Sequence, residues 1–228
     1  MVQQRLRALA DPQRAVGVAR FFKTGPGEYG AGDRFLGISV PVLRKLAREY
    51  QDLGTAEVLK LVTSTWHEER LLALFILVRQ FQRGDQAARA AVYRAYMAHR
   101  KHVNNWDLVD SSAEHIVGAY LRDRDRRVLL RLARSKSLWD RRIAVLSTFH
   151  YIRHGEYDDT IRLAELLLDD RHDLIHKAVG WMLREIGNRD RRALEKFLSE
   201  HARRMPRTML RYAIERLPLP LRRRYLAA

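Results

Sequence analysis

Residues 67–82 read HEERLLALFILVRQFQ, and Gly84 follows closely as a stop. Leu71, Leu74, Phe75, Val78 and Phe81 recur at spacings of three and four, which places them on one face of a helix. The uninterrupted apolar part, Leu71 to Val78, is the longest in the chain. It is far short of the roughly 20 residues that a membrane span needs. The stretch therefore predicts a core helix, and it sets the period for everything around it.

The same period continues on both sides. Ser39, Val40 and Pro41 precede Leu43, Leu46, Ala47 and Tyr50, which reads as an N-cap, an early-turn proline and an apolar stripe. Thr55 is expected to cap a helix carrying Val58, Leu59 and Val62. Further helices are predicted at about 86–100, 106–122, 125–134, 138–153, 158–169, 172–186, 190–203 and 207–216. In the helix after Asn105, Val109, Ile116 and Tyr120 are expected to face the core. No strand pair with a hairpin turn is legible. Short connections between such helices imply antiparallel pairs, and pairs recurring every ~35–45 residues imply an α-solenoid of the HEAT type. The expectation is one all-α domain spanning 1–228, with a concave basic groove able to hold a duplex.

Charge points to the partner. Lys and Arg number 43 against 27 Asp and Glu, a net charge of +16, with a pI near 10.7. Clustered cations gain free energy by displacing counterions from phosphates, so a nucleic acid is the first reading. A basic surface that serves solubility or meets anionic lipid is the alternative. Cysteine is absent, which removes disulfides, thiolate nucleophiles and Cys-ligated zinc. Met1 to Ala10 lacks the apolar core of a secretory signal, so the expected location is the cytoplasm, for a bacterial protein with the nucleoid.

Several motifs compete for chemical meaning. Gly25 to Gly30 satisfies G-x-G-x-x-G, but a helix precedes it where a dinucleotide site needs a strand, so it reads as a loop. His150/His154 and His172/His176 have i,i+4 spacing without an H-E-x-x-H frame or a third ligand, and no metal is expected. Trp106 and Asp110 are also i,i+4 neighbours, on a helix that starts near Asn105. Spacing alone leaves two readings: an indole and a carboxylate sharing a working face, or a half-buried Trp beside a salt-bridged Asp. Lys177, Trp181 and Arg184 fall at i, i+4 and i+7, a basic stripe that carries an aromatic. Trp139, Arg141 and Arg142 open a further basic helix. For both, a solvated face beside a core Trp is the competing reading.

In these blocks the chain resembles the AlkD-like bacterial DNA alkylation-repair proteins, which are HEAT-like-repeat DNA glycosylases. The resemblance runs over nearly the whole chain. It is carried by Ala19 to Lys23, Phe35 to Ile38, Asn104 to Asp110, Arg141 to Ala144 and Lys177 to Arg184. It implies excision of cationic alkylpurines such as 3-methyladenine and 7-methylguanine from double-stranded DNA, by a monomer without metal or organic cofactor. It further implies Asp110 as the catalytic aspartate, Trp106 and Trp181 as its flanking indoles, and Arg142 and Arg184 as DNA contacts, beside Lys177 of the basic stripe as a further expected contact. Phe21, also expected at the DNA, stands where the best-known members carry a tyrosine, and the Gly25–Gly32 loop is longer than the pattern. A non-catalytic nucleic-acid-binding scaffold is the alternative to the enzyme.

Overall fold

The computed structural model describes residues 2–227. The chain forms two compact units, Met1–Ile116 and Val117–Ala228. Among the described residues there is no strand, only one isolated bridge between Arg34 and Trp66, so the fold is all-α. No helix among them is long and apolar enough to cross a membrane.

The first unit contains α1 (Val2–Ala8), α2 (Pro12–Phe21), α3 (Val40–Glu49), α4 (Thr55–Val62), α5 (His67–Arg83), α6 (Gln86–His99) and α7 (Trp106–Asp110). Helix α5 is its spine, with α3, α4, α6 and α7 packed on it. The sequence predicts one apolar face for this helix, yet every residue from His67 to Val78 is buried. Over these three turns the helix carries no solvent face, and even its charged first turn is enclosed, while Gln82 and Arg83 at its end are exposed.

Local chemistry sets the helix ends. Asp11 caps α2, its carboxylate accepting from Arg14 N at 3.0 Å, with Pro12 in the first turn. Asp85 caps α6 in the same way at 2.8 Å from Ala88 N. The cap of α4 is Gly54, one residue before the expected Thr55, which is itself the first helical residue. Gly37 has φ of 80° and lies so close to the Asp11 carbonyl that a Cβ there has no room.

The second unit contains α8 (Ala119–Leu121), α9 (Arg127–Ala133), α10 (Leu138–Ser147), α11 (Phe149–Ile152), α12 (Asp158–Leu166), α13 (Asp173–Gly187), α14 (Arg191–His201), α15 (Arg207–Ala213) and α16 (Leu219–Ala227). Here α13 is the spine, with α10, α11, α12, α14 and α15 against it. Ile175, Ala178, Val179, Met182, Leu183 and Ile186 form its buried side.

Two expected long helices are broken. The helix expected at 106–122 stops at Asp110, and a π-helical turn at Glu114–Gly118 follows before α8. Ser111 and Ser112 turn their hydroxyls back onto the Asp107 and Leu108 carbonyls, and the Ser112 amide leaves the helical pattern to bond the Val109 carbonyl at 3.1 Å. The helix expected at 138–153 breaks at Thr148, where Ser147 and Thr148 bond back to Ile143 and Val145. Val109 and Ile116 are core residues as expected, but Tyr120 is half-exposed.

Because α5 is enclosed, Leu72→Ala, at a fully buried position, should cost about 2–5 kcal/mol by transfer and cavity terms. Val16→Ala, at an exposed position, should change little. Urea unfolding of the two variants checks the contrast.

Candidate functional site

Helices α2, α3, α5 and α7 and the loop at residues 22–39 enclose a cleft of about 440 Å³ in the first unit, within the usual size range of ligand pockets. Its walls are mostly apolar and aromatic, including Phe21, Phe22, Phe35, Phe75 and Trp106. Arg14 and Arg44 also line it, as do Asp107, Asp110 and Ser111 from the α7 segment.

Helix α7 carries the sequence-predicted pair. Asn105 is fully buried and caps it, its Oδ1 accepting from Trp106 N at 2.8 Å. Leu108 and Val109 anchor the helix in the core at 0 % exposure. Trp106 and Asp110, at its two ends, share the other face, are half-buried and line the same cleft. Trp106 stacks on Phe22 with centroids 5.1 Å apart and planes at 12°. Phe21 is 66 % exposed and meets Trp106 edge-on at 5.8 Å, so a phenyl ring occupies the mouth of the cleft.

Below Trp106 is a charged cluster that sequence reading missed. His67 Nδ1 bonds Asp33 Oδ2 and His67 Nε2 bonds Asp107 Oδ2, both at 2.8 Å. The His67 side chain is 2 % exposed and that of Asp33 4 %. Arg70 donates to Asp33 Oδ1 at 2.7 Å, and Asn105 Nδ2 reaches Asp33 Oδ2 at 3.3 Å. Burial works against a charged imidazole, but Asp107 and Asp33 outweigh it and His67 is pushed up to about 9 from 6.5. Burial pulls Asp33 the other way, upward, while His67 and Arg70 hold its carboxyl below the usual range. Phe35 stacks on the imidazole at 4.5 Å and Phe22 lies against it at 4.9 Å, ring faces that favour a cation. Next to it, the buried Glu68 carboxylate accepts the amides of Leu36, Gly37 and Ile38, fixing the loop before α3. The available signal was H-E-E-R itself, four consecutive polar residues opening the most apolar helix.

The remaining predicted residues lie in the second unit. Trp181 is half-buried on α13, its Nε1 donating to Glu185 at 3.2 Å and its ring 5.9 Å from Phe149. Lys177 pairs with Asp173 at 2.7 Å, and Arg184 pairs with Glu215. Arg142 is buried at 5 % exposure, and its guanidinium donates to the Leu174 carbonyl at 2.6 Å, tying α10 to α13. Only a sliver of that residue is open to a phosphate. Of the histidine pairs, His172 caps α13 and His154 bonds its own backbone at His150. The Gly25–Gly32 stretch is a loop without a strand before it.

These features define a basic all-α protein whose first unit holds an aromatic cleft edged by carboxylates. The chain belongs to the DNA alkylation repair enzyme family, which matches residues 2–217. Among solved structures it is similar to a protein from Enterococcus faecalis described as a predicted DNA alkylation repair enzyme. The TM-score is 0.70 at 17 % identity, over 92 % of this chain and 97 % of that one. No curated protein matches the chain. The family gives the protein a role in DNA repair.

The buried cluster makes stability depend on alkaline pH. Folded His67 keeps its proton to about pH 9, whereas an unfolded histidine loses it near 6.5. Its contribution, on the order of 3 kcal/mol at most, is complete below pH ~6.5 and is lost as pH rises through ~9. Urea midpoints between pH 6 and 10 should fall across that window, and His67→Gln should flatten the fall.

Proposed function

We propose that the protein is a monofunctional DNA glycosylase that hydrolyses the N-glycosidic bond of cationic alkylpurines in double-stranded DNA. The observation that carries the reading is the placement of Trp106 and Asp110 on one face of α7, lining one aromatic cleft. Alkylation at N3 or N7 leaves the purine positively charged, so the base departs neutral and no general acid is required. The sugar left behind resembles an oxocarbenium ion. A fixed carboxylate stabilises that developing charge and can position the attacking water. The faces of Trp106 and Phe21 favour a cationic nucleotide over a normal one, which provides selection for damage. Repair by alkyl transfer to a thiolate has no acceptor in this chain, which contains no cysteine.

In the second unit we assign Trp181 to a sugar or base contact, and Lys177 and Arg184 to phosphates. Arg142 contributes chiefly by holding α10 against α13, which orders the cationic face. The chemistry asks for one chain and no cofactor. The net charge of +16 supports the duplex as partner.

Asp110→Asn should bind methylated duplex as the wild type does, yet release methylpurine about 10²-fold more slowly or worse. Single-turnover release beside a binding titration reads both. An undiminished rate removes Asp110 from the mechanism. Wild-type duplex binding with no release at all supports a non-catalytic scaffold instead.

A further inference from the structure

The glycosylase reading leaves the buried charges under the cleft without a task. We propose that His67, held as an imidazolium between Asp33 and Asp107, is the positioning residue that fixes α7 and so sets where Trp106 and Asp110 stand. The kinetic part of this inference rests on the glycosylase reading; the structural part does not.

Helix α7 has five residues, too few to hold its own shape, since helix nucleation is unfavourable over so short a span. Its position must come from outside contacts. Leu108 and Val109 fasten one face, and the Asn105 cap fastens the start. The Asp107 carboxylate, between Trp106 and Leu108 in the sequence, reaches across to α5 through His67. The other end of the bridge is Asp33 in the loop at 22–39, which Arg70 and Asn105 also hold. His67 thus joins three segments: the loop, α5 and α7. A second route runs through rings, because Phe22 touches His67 on one side and stacks on Trp106 on the other.

Only the charged imidazole suits this place. Both ring nitrogens face carboxylates, and a neutral imidazole has one N–H to give, so the other nitrogen meets an oxygen lone pair to lone pair. Charged groups from several packed elements surround His67, and Glu69 of the same turn is paired with Arg7 of α1. Asp33 comes from the loop and Asp107 from α7. Arg70 and Glu68 come from α5, the one bound to Asp33 and the other to the amides of residues 36–38. Arg14, Arg44 and Asp110 line the same cleft, and His102 feels Arg70. Losing the proton opposes Asp107 or Asp33 and loosens the tie to α7, with the nucleic-acid surface elsewhere unchanged. Such a residue affects rate more than binding.

The test compares wild type, His67→Gln and Asp107→Asn, with 5-fluorotryptophan incorporated and the Trp106 resonance assigned by Trp106→Phe. Single-turnover methylpurine release, corrected for spontaneous loss, and duplex affinity are followed from pH 6 to 10. Wild-type release should fall above about pH 9 while affinity holds. His67→Gln should lose roughly 100-fold in rate, the scale of a small misplacement of a reacting group, and show no alkaline limb. Asp107→Asn, which removes a charge without changing shape, should fold and move that limb to lower pH. Both variants should shift the Trp106 fluorine resonance. An unmoved resonance with an unaltered rate profile overturns the inference, as does an Asp107→Asn limb that stays in place. A wild type without release, but with the fluorine shifts, refutes the glycosylase reading and leaves the bridge standing.

Discussion

A charged imidazole with both nitrogens on carboxylates, shut away from water, is the constraint that organises the first unit. Charges in that setting are expensive unless each finds a partner. The first turn of α5 meets the condition for most of its charged atoms: His67 takes Asp33 and Asp107, Arg70 takes Asp33, and Glu68 takes three backbone amides, while Arg70 Nε is left without a hydrogen-bond partner. Glu69, fully buried, receives Gln3 and Arg7 from α1. A well-packed apolar set of equal volume is often at least as stable as a buried ion pair. What the polar set adds is direction. Each bond names one partner on one segment, so α1, the loop at 22–39, α5 and α7 are held in a single register.

That register is what the cleft needs. A carboxylate that stabilises a developing cation works through being in place beforehand, without reorganising as charge appears. Asp110 lies at the end of a short helix with a serine-bent break directly after it. The break ends the helix where the cleft is and lets Asp110 and Ser111 line it together. In the second unit, α13 is the corresponding rigid element. Trp181, Lys177 and Arg184 are each tied to an acidic neighbour, so that face is also ordered before any partner arrives.

Much of this was legible in the sequence. The helical period of residues 67–82 gave the all-α class, and the spacing of Trp106 and Asp110 gave a shared face that the structure reproduces. Three things were not legible, for physical reasons. The four polar residues at the head of α5 carry no sequence sign of burial, because the carboxylates that pair with His67 lie 34 and 40 positions away in the chain. The helix breaks after Asp110 and at Thr148 are accompanied by hydroxyls bonding back to carbonyls, which serine and threonine do only in some contexts. That the Arg142 guanidinium also satisfies a carbonyl of another helix is not visible in a sequence, since the partner lies 32 positions away.

For a glycosylase, the bond broken lies between base and sugar. Methylated duplex incubated with the wild-type protein, its small-molecule products resolved by mass spectrometry, addresses this most directly. Free intact methylpurine should appear in equal amount with abasic sites in the DNA. Unmethylated purine restored within an unbroken strand, or no product from a fully bound duplex, contradicts the glycosylase reading.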